Sequence, residues 1–219
     1  MYKVETEFET TVIKFSRPMR CISSAIFGGG IRTIKSIVNY TLQEGECPDI
    51  SEMKMFCHQI LINFGLDPNF GVVLLTTVPQ CSGVWSKDCL VTAGLGNAVP
   101  IESEPVWDEE KSEYVYNPGT INCIHIVSQN LSDQALVEAN AMVRMSIAMQ
   151  MIEWSSVYSN QVCVGTPTDC TAVISPIEGP SLQFAGLATK VGFDLVRNTR
   201  LAFKRALAHK YPIKQQPVA

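Results

Sequence analysis

The sequence predicts an α+β fold: a single domain over residues 1–211, a mixed and mainly antiparallel sheet with three long helices packed on it, and a frayed tail at 212–219. Three observations predict it. Short apolar and β-branched runs follow one another in hairpin-like pairs, and three longer stretches repeat apolar residues at three- and four-residue spacing. No internal repeat or long polar linker divides the chain. The 219 residues are 46% hydrophobic and 17% charged, against roughly 25% charged in an ordinary soluble domain. Much of the chain therefore belongs to an interior, and a disordered chain is excluded.

Residues 4–15 place Phe8, Val12, Ile13 and Phe15 among Thr and Glu, the pattern of an edge strand. Arg17-Pro18 is expected to break it, and Met19–Phe27 to form a second strand. The apolar stretch Ile31–Leu42 fits a strand or a short helix. The first clear helix starts at Pro48-Asp49, with Asp49 as N-cap and Glu52 three residues on, as in a capping box. Met53, Phe56, Cys57, Ile60, Leu61 and Phe64 form its apolar stripe, and Gly65 is the expected C′ residue. Phe70–Val78 reads as a strand stopped by Pro79, with Cys89–Val99 antiparallel to it. The acidic stretch 102–118, between Pro105 and Pro118, reads as a surface loop.

Thr120–Ser128 is a strong strand. Ser132 is the expected N-cap of a helix over about 133–153, with Leu131 and Leu136 as a hydrophobic staple. Its methionines, Met142, Met145, Met149 and Met151, read as core filling. Val162–Ile174 is the last strand, interrupted at Gly165–Asp169. The final helix runs from Leu187 to about His209, with Leu187, Val191, Leu195, Leu201 and Ala206 toward one side.

The net charge of −4 leaves no overall electrostatic footprint for nucleic acid. Locally, residues 102–113 hold six acids and one Lys, whereas six Lys/Arg and no acid follow Asp194. A charge run most often means a solvated face, and a basic last helix suits its own macrodipole. No run approaches the ~20 apolar residues of a membrane span, and residues 1–7 lack the apolar core of a secretory signal. The eight cysteines include no C-x-x-C pair, which argues against zinc ribbons and thioredoxin-like motifs. Cys21, Cys57, Cys123 and Cys163 fall in apolar patterns as small core hydrophobes. A reduced, cytoplasmic protein is expected.

Four small-residue clusters stand at predicted strand ends: Gly28-Gly29-Gly30, Thr92–Ala98, Pro118–Asn122 and Gly165–Asp169. Glycine beside Thr, Asn or Asp lets the backbone approach a ligand while short polar groups point at it. Together they suggest a polar site between strand ends. Phosphate and dinucleotide loops are absent, as are H-E-x-x-H and G-x-S-x-G. The three histidines, His58, His125 and His209, lie far apart. In a regular strand His125 and Cys123 point away from the face carrying Thr120 and Asn122, so His125 reads as a structural histidine and no metal ligand is expected. What remains is a hydroxyl, amide and carboxylate set: Asn97, Thr120, Asn122, Thr166, Thr168 and Asp169. Such a set can bind an amide-rich ligand, or polarise an amide and orient water.

T-A-G-x-x-N-A (Thr92–Ala98), P-G-T-I-N (Pro118–Asn122), L-S-D-x-A-L-V-E-A (Leu131–Ala139), G-T-x-T-D (Gly165–Asp169) and F-A-G-x-x-T-K-x-G (Phe184–Gly192) occur in one order. With Ser-Ser-Ala-Ile-Phe-Gly-Gly-Gly before them, this order resembles the adenosylcobinamide amidohydrolase family over roughly residues 15–208. The resemblance implies a hydrolase of corrinoid (cobalamin) salvage, which removes the aminopropanol arm of adenosylcobinamide and leaves adenosylcobyric acid. It implies a small-molecule corrinoid as partner and leaves homo-oligomerisation open, while the charge and the lack of a long apolar run argue for neither nucleic acid nor membrane. No cofactor is then bound by the protein itself, because cobalt enters with the substrate. From the chemistry of the side chains, Asp169 with Thr166 or Thr120 is expected to activate water or stabilise the tetrahedral intermediate. Gly28, Gly29, Gly30, Thr92, Asn97, Asn122 and Thr168 are expected to hold substrate. One departure stands out: Met145-Ser146-Ile147 occupies the place of the family's Glu-Ala-Lys triplet. It motivates the alternative of a non-catalytic corrinoid-binding or sensing protein on the same scaffold, and makes Glu138 a candidate substitute carboxylate.

Overall fold

The computed structural model describes residues 2–7, 9–46, 48–49, 51–104, 107–108, 113–114 and 119–208, with backbone alone at 107–108 and 113–114. Phe8, Pro105, Pro118, His209 and the tail 212–219 lie outside these residues. The chain forms β1 (Tyr2–Glu7), β2 (Thr10–Ser23), β3 (Gly30–Thr41), α1 (Met53–Asn63), β4 (Gly71–Thr76), β5 (Val84–Ser86) and β6 (Cys89–Ala93). There follow β7 (Trp107–Asp108), β8 (Glu113–Tyr114), β9 (Ile121–Ile126), β10 (Asn130–Leu131), α2 (Asp133–Tyr158), β11 (Cys170–Pro176), β12 (Ser181–Leu182) and α3 (Lys190–Ala208).

The main sheet has eight strands in the order β4-β3-β2-β11-β9-β6-β5, with β1 added to β2. Pairing is antiparallel except for β3 with β4 and β9 with β11, an α+β arrangement. The first half of β2 carries β1 and its second half carries β11, while β3 runs beside both. The sheet is curled. Ile37 of β3, Leu74 of β4, Leu90 of β6 and Ile124 of β9 share one apolar cluster on its inner face. Asn122 Nδ2 of β9 even donates to the Leu75 carbonyl of β4 at 2.9 Å. On the outer face α2 and α3 cover β6, β9 and β11, and Cys57, Ile60 and Leu61 of α1 cover β3 and β4. Each fully buried Ile or Leu in these layers contributes roughly 1.5–3 kcal/mol.

Several sequence expectations are corrected. β2 continues through Pro18, because its register with β3 shifts between Lys14 and Met19, and a proline is tolerated at such an irregularity, where no ladder N–H is required. β1 is consequently a separate strand, joined to β2 as a hairpin. Ile31–Leu42 resolves as strand β3. α1 starts at Met53 with Glu52 as N-cap and no side-chain cap bond; Asp49 instead accepts Glu52 and Met53 N–H through its carbonyl in a preceding turn. β6 ends at Ala93 and pairs with β5 and β9, not with β4. The acidic stretch contains the paired strands β7 and β8. Met145 and Met149 are about half exposed, whereas Met151 is buried. α3 begins only at Lys190, which leaves Leu187 outside it and exposed, and Leu201 is also exposed.

Other local signals match. Gly65 sits at φ +66°, and the Gly65→Ile62 and Leu66→Leu61 backbone bonds, both 2.9 Å, close α1 as a Schellman motif. Ser132 Oγ accepts from Ala135 N at 3.2 Å, and Leu131 and Leu136 are buried in one cluster. The Phe184–Gly192 motif is a helix start: Thr189 Oγ1 accepts from Gly192 N at 3.1 Å and donates to Gly186 O at 2.7 Å. A Cβ on Gly192 would stand 2.1 Å from Gly186 O and 2.3 Å from Ala185 O. Gly192→Ala must therefore push the helix off this backbone. It is expected to cost about 1–3 kcal/mol, visible in thermal unfolding as a fall of about 2–4 °C per kcal/mol; an unchanged Tm would contradict the close approach.

Candidate functional site

Ser23 ends β2, Ala93 ends β6, Ile121 begins β9 and Cys170 begins β11, and the pairing register brings these four ends together. Gly30 opens β3 opposite Ser23. The loops that carry the four small-residue clusters therefore meet at one end of the sheet.

Asp169 organises this end. Its Oδ1 accepts from Ile121 N at 3.1 Å and from Thr166 Oγ1 at 2.5 Å, and its Oδ2 accepts from Thr166 N at 3.0 Å. Arg144 Nη1 stands 3.7 Å from Oδ2. The Asp169 side chain is only 5% exposed, and burial raises its pKa against the opposing Thr166 hydrogen bonds and the Arg144 charge. Gly165 must be glycine here, since a Cβ would stand 2.4 Å from Asp169 Oδ2. Around the carboxylate, Thr120 Oγ1 donates to Thr168 O at 2.8 Å. Asn97 Nδ2 and Thr168 Oγ1 both donate to Gly119 O at 2.6 Å.

An open cleft of about 500 Å³ lies alongside, lined by Ser23, Ser24, the Gly28–Gly30 triplet, Arg32 and Lys54. Gly28 and Gly30 have φ near +75° and +83°, and a Cβ on Gly28 or Gly29 would strike Gly71 O or Ala25 O at about 2.2–2.3 Å. A side chain at Gly28 or Gly29 is therefore excluded by the backbone beside it. Arg144 joins the cleft to the carboxylate: its Nη2 donates to Asp169 O at 2.8 Å and to Ser24 Oγ at 3.3 Å.

Thr92 and Asn122 belong to neither. They point into the curled sheet, 0% and 1% exposed, within a polar network. Asn122 Nδ2 donates to Asn39 Oδ1 at 2.7 Å, and Asn39 Nδ2 donates to Gln80 Oε1 and Thr92 Oγ1, both at 3.2 Å. Gln80 Nε2 donates in turn to Thr41 Oγ1 at 2.9 Å. Asn122 Oδ1 has no partner among the described residues. The two side chains thus hold the sheet closed beneath the site.

Motif and spacing do not single out Arg144, Ser24, Asn39 or Gln80 as site residues. A signal exists for Arg144, the one basic residue of α2. Ser24 stood in the motif before the glycines. Glu138 Oε2 accepts from Ala185 N at 2.7 Å, so it braces the loop before α3. Of Met145-Ser146-Ile147, Ser146 Oγ donates to Val196 O of α3 and Ile147 is buried in the core.

A family model described as adenosylcobinamide amidohydrolase (CbiZ) matches residues 1–215. No curated protein matches the chain. Among the described residues no helix is long and apolar enough to cross a membrane.

Proposed function

Since the chain belongs to the adenosylcobinamide amidohydrolase family, we propose that the cleft at Gly28–Gly30 and the Asp169 loop together form the place where its amide is cut. The protein is an amide hydrolase of corrinoid salvage, acting on a small-molecule corrinoid. The observation that carries the placement is the Asp169–Arg144–Ser24 connection, which links a buried carboxylate to the cleft wall. A cleft of about 500 Å³ is sized for the aminopropanol arm and one edge of the ring, within the usual range of small-molecule pockets. Arg32 and Lys54 then face the amide carbonyls of the ring periphery, and cobalt remains part of the substrate.

In this reading a water binds beside Arg144 Nη1 and Asp169 Oδ2, which stand 3.7 Å apart, and touches both. Oδ2 takes a proton from that water as its oxygen attacks the amide carbonyl carbon. Arg144 and the glycine peptide groups face the resulting oxyanion. The C–N bond then breaks, and the proton on Asp169 passes to the departing nitrogen, leaving a carboxylic acid and aminopropanol. Thr166 fixes the carboxylate, while Thr120, Thr168 and Asn97 fix the loops around it. None of the seven described cysteines is in a disulfide, which supports a reducing, cytoplasmic setting.

The test is incubation of the purified protein with adenosylcobinamide, followed by mass spectrometry of the corrinoid. Adenosylcobyric acid with free aminopropanol is expected. Corrinoid retained on the protein but unchanged would make the chain a binding protein and overturn this reading.

A further inference from the structure

The face of β6 and β9 turned away from Asn122 carries a second chemical cluster. The register sets Cys89 directly opposite His125 and Val91 opposite Cys123, so both thiols and the imidazole project to the same side, beneath α3. One donor atom from each of the three lies within 4.8 Å of the other two. The sulfurs are 3.9 Å apart, and Thr199 Oγ1 of α3 stands 2.7 Å from His125 Nε2. Cys89, Cys123 and Thr199 are 0% exposed and His125 3%.

We propose that Cys89, Cys123 and His125, with the Thr199 hydroxyl as the fourth group, form a closed structural site for zinc. Zn–S bonds of about 2.3 Å at a tetrahedral angle put two sulfurs about 3.8 Å apart, close to the separation found, whereas a disulfide needs about 2.05 Å. The charge balance also suits a core. Zn²⁺ displaces one proton from each thiol, so two thiolates, a neutral imidazole and the dication sum to zero, and no net charge is buried. The absence of C-x-x-C spacing hid the site from the sequence, because its ligands come from two paired strands instead of one turn. With no open face, it joins β6, β9 and α3 and takes no part in hydrolysis.

The test is elemental analysis of protein purified under reducing conditions from zinc-supplemented cells, together with Co²⁺ titration of the chelator-treated protein. About one zinc per chain is expected, falling to background in Cys123→Ser, with thiolate-to-cobalt charge-transfer absorption in the unmodified chain. That absorption supports the site even if zinc is lost during purification, and it keeps the test decisive if Cys123→Ser fails to fold. Zinc at background with no cobalt absorption overturns the proposal, as does zinc that persists undiminished in folded Cys123→Ser. Neither readout depends on hydrolysis, so the site and the hydrolase assignment fail or stand separately.

Discussion

Asp169→Asn is expected to lower turnover of adenosylcobinamide by about 10²–10⁴-fold, the usual contribution of a positioned general base, while corrinoid binding is retained. The substitution keeps the shape of the side chain and removes its capacity to take a proton. It also has a structural cost. Ile121 N, Thr166 N and Thr166 Oγ1 all donate to this carboxylate, so the new amide NH₂ must face at least one donor, at about 1–3 kcal/mol. Thermal unfolding measured beside kcat separates the two effects, and a variant that binds and turns over normally would remove Asp169 from the chemistry. The pH profile gives an independent sign. Burial raises the Asp169 pKa and the Thr166 hydrogen bonds and Arg144 oppose it, so the acid limb of kcat should lie above the ordinary aspartate range. Arg144→Gln deletes one of the opposing influences and should move that limb to higher pH. Stability follows the same linkage. A carboxyl whose pKa is higher folded than unfolded costs stability once ionised, and this cost is relieved as pH falls through the folded value. Asp169→Asn should abolish that portion of the dependence.

The parts of the fold legible in the sequence were those governed by local rules. The caps at Ser132 and Gly65 follow from the few groups that can satisfy helix ends, and the apolar run of β9 follows from burial on both faces. Pro18 misled because a proline's effect depends on whether its missing N–H is needed, and that is set by the β2–β3 register. Met145 and Met149 misled because α2 is apolar almost all round, so periodicity does not say which face is covered. The same limit divides the candidate site residues. Glycine clusters at strand ends were visible along the chain, but Thr92 and Asn122 share their strands' polar pattern with groups that face a ligand. Only the curl of the sheet, which brings β3 and β4 against β6 and β9, places them in a buried network. Arg144 reaches Asp169 across 25 positions, a separation at which no spacing rule operates.

Asn39→Leu is expected to be the most destabilising single change in that network. Asn39 is 0% exposed, accepts from Asn122 and donates to both Gln80 and Thr92. Leucine fills a similar volume but leaves an amide hydrogen of Asn122 and an acceptor position on Thr92 without their partner. Gln80 Oε1 keeps its bond from Thr11 alone. With about 1–3 kcal/mol for each buried group left unsatisfied, a loss of roughly 3–5 kcal/mol is expected, or about 10 °C in Tm for a chain of this length. Thr92→Val, which removes a single acceptor, should cost far less, and equal losses from the two would mean that cavity or packing changes dominate. The consequence should also reach the chemistry. Asn122 follows Ile121, whose N–H holds Asp169 Oδ1 at 3.1 Å, so a slackened β9 loosens the carboxylate without touching it. In conditions where Asn39→Leu remains folded, kcat should therefore fall while KM changes little, because the cleft walls at Gly28–Gly30, Arg32 and Lys54 lie outside the network. A variant that lost stability but kept kcat would show that the start of β9 is positioned by its backbone ladder to β6 and β11 alone.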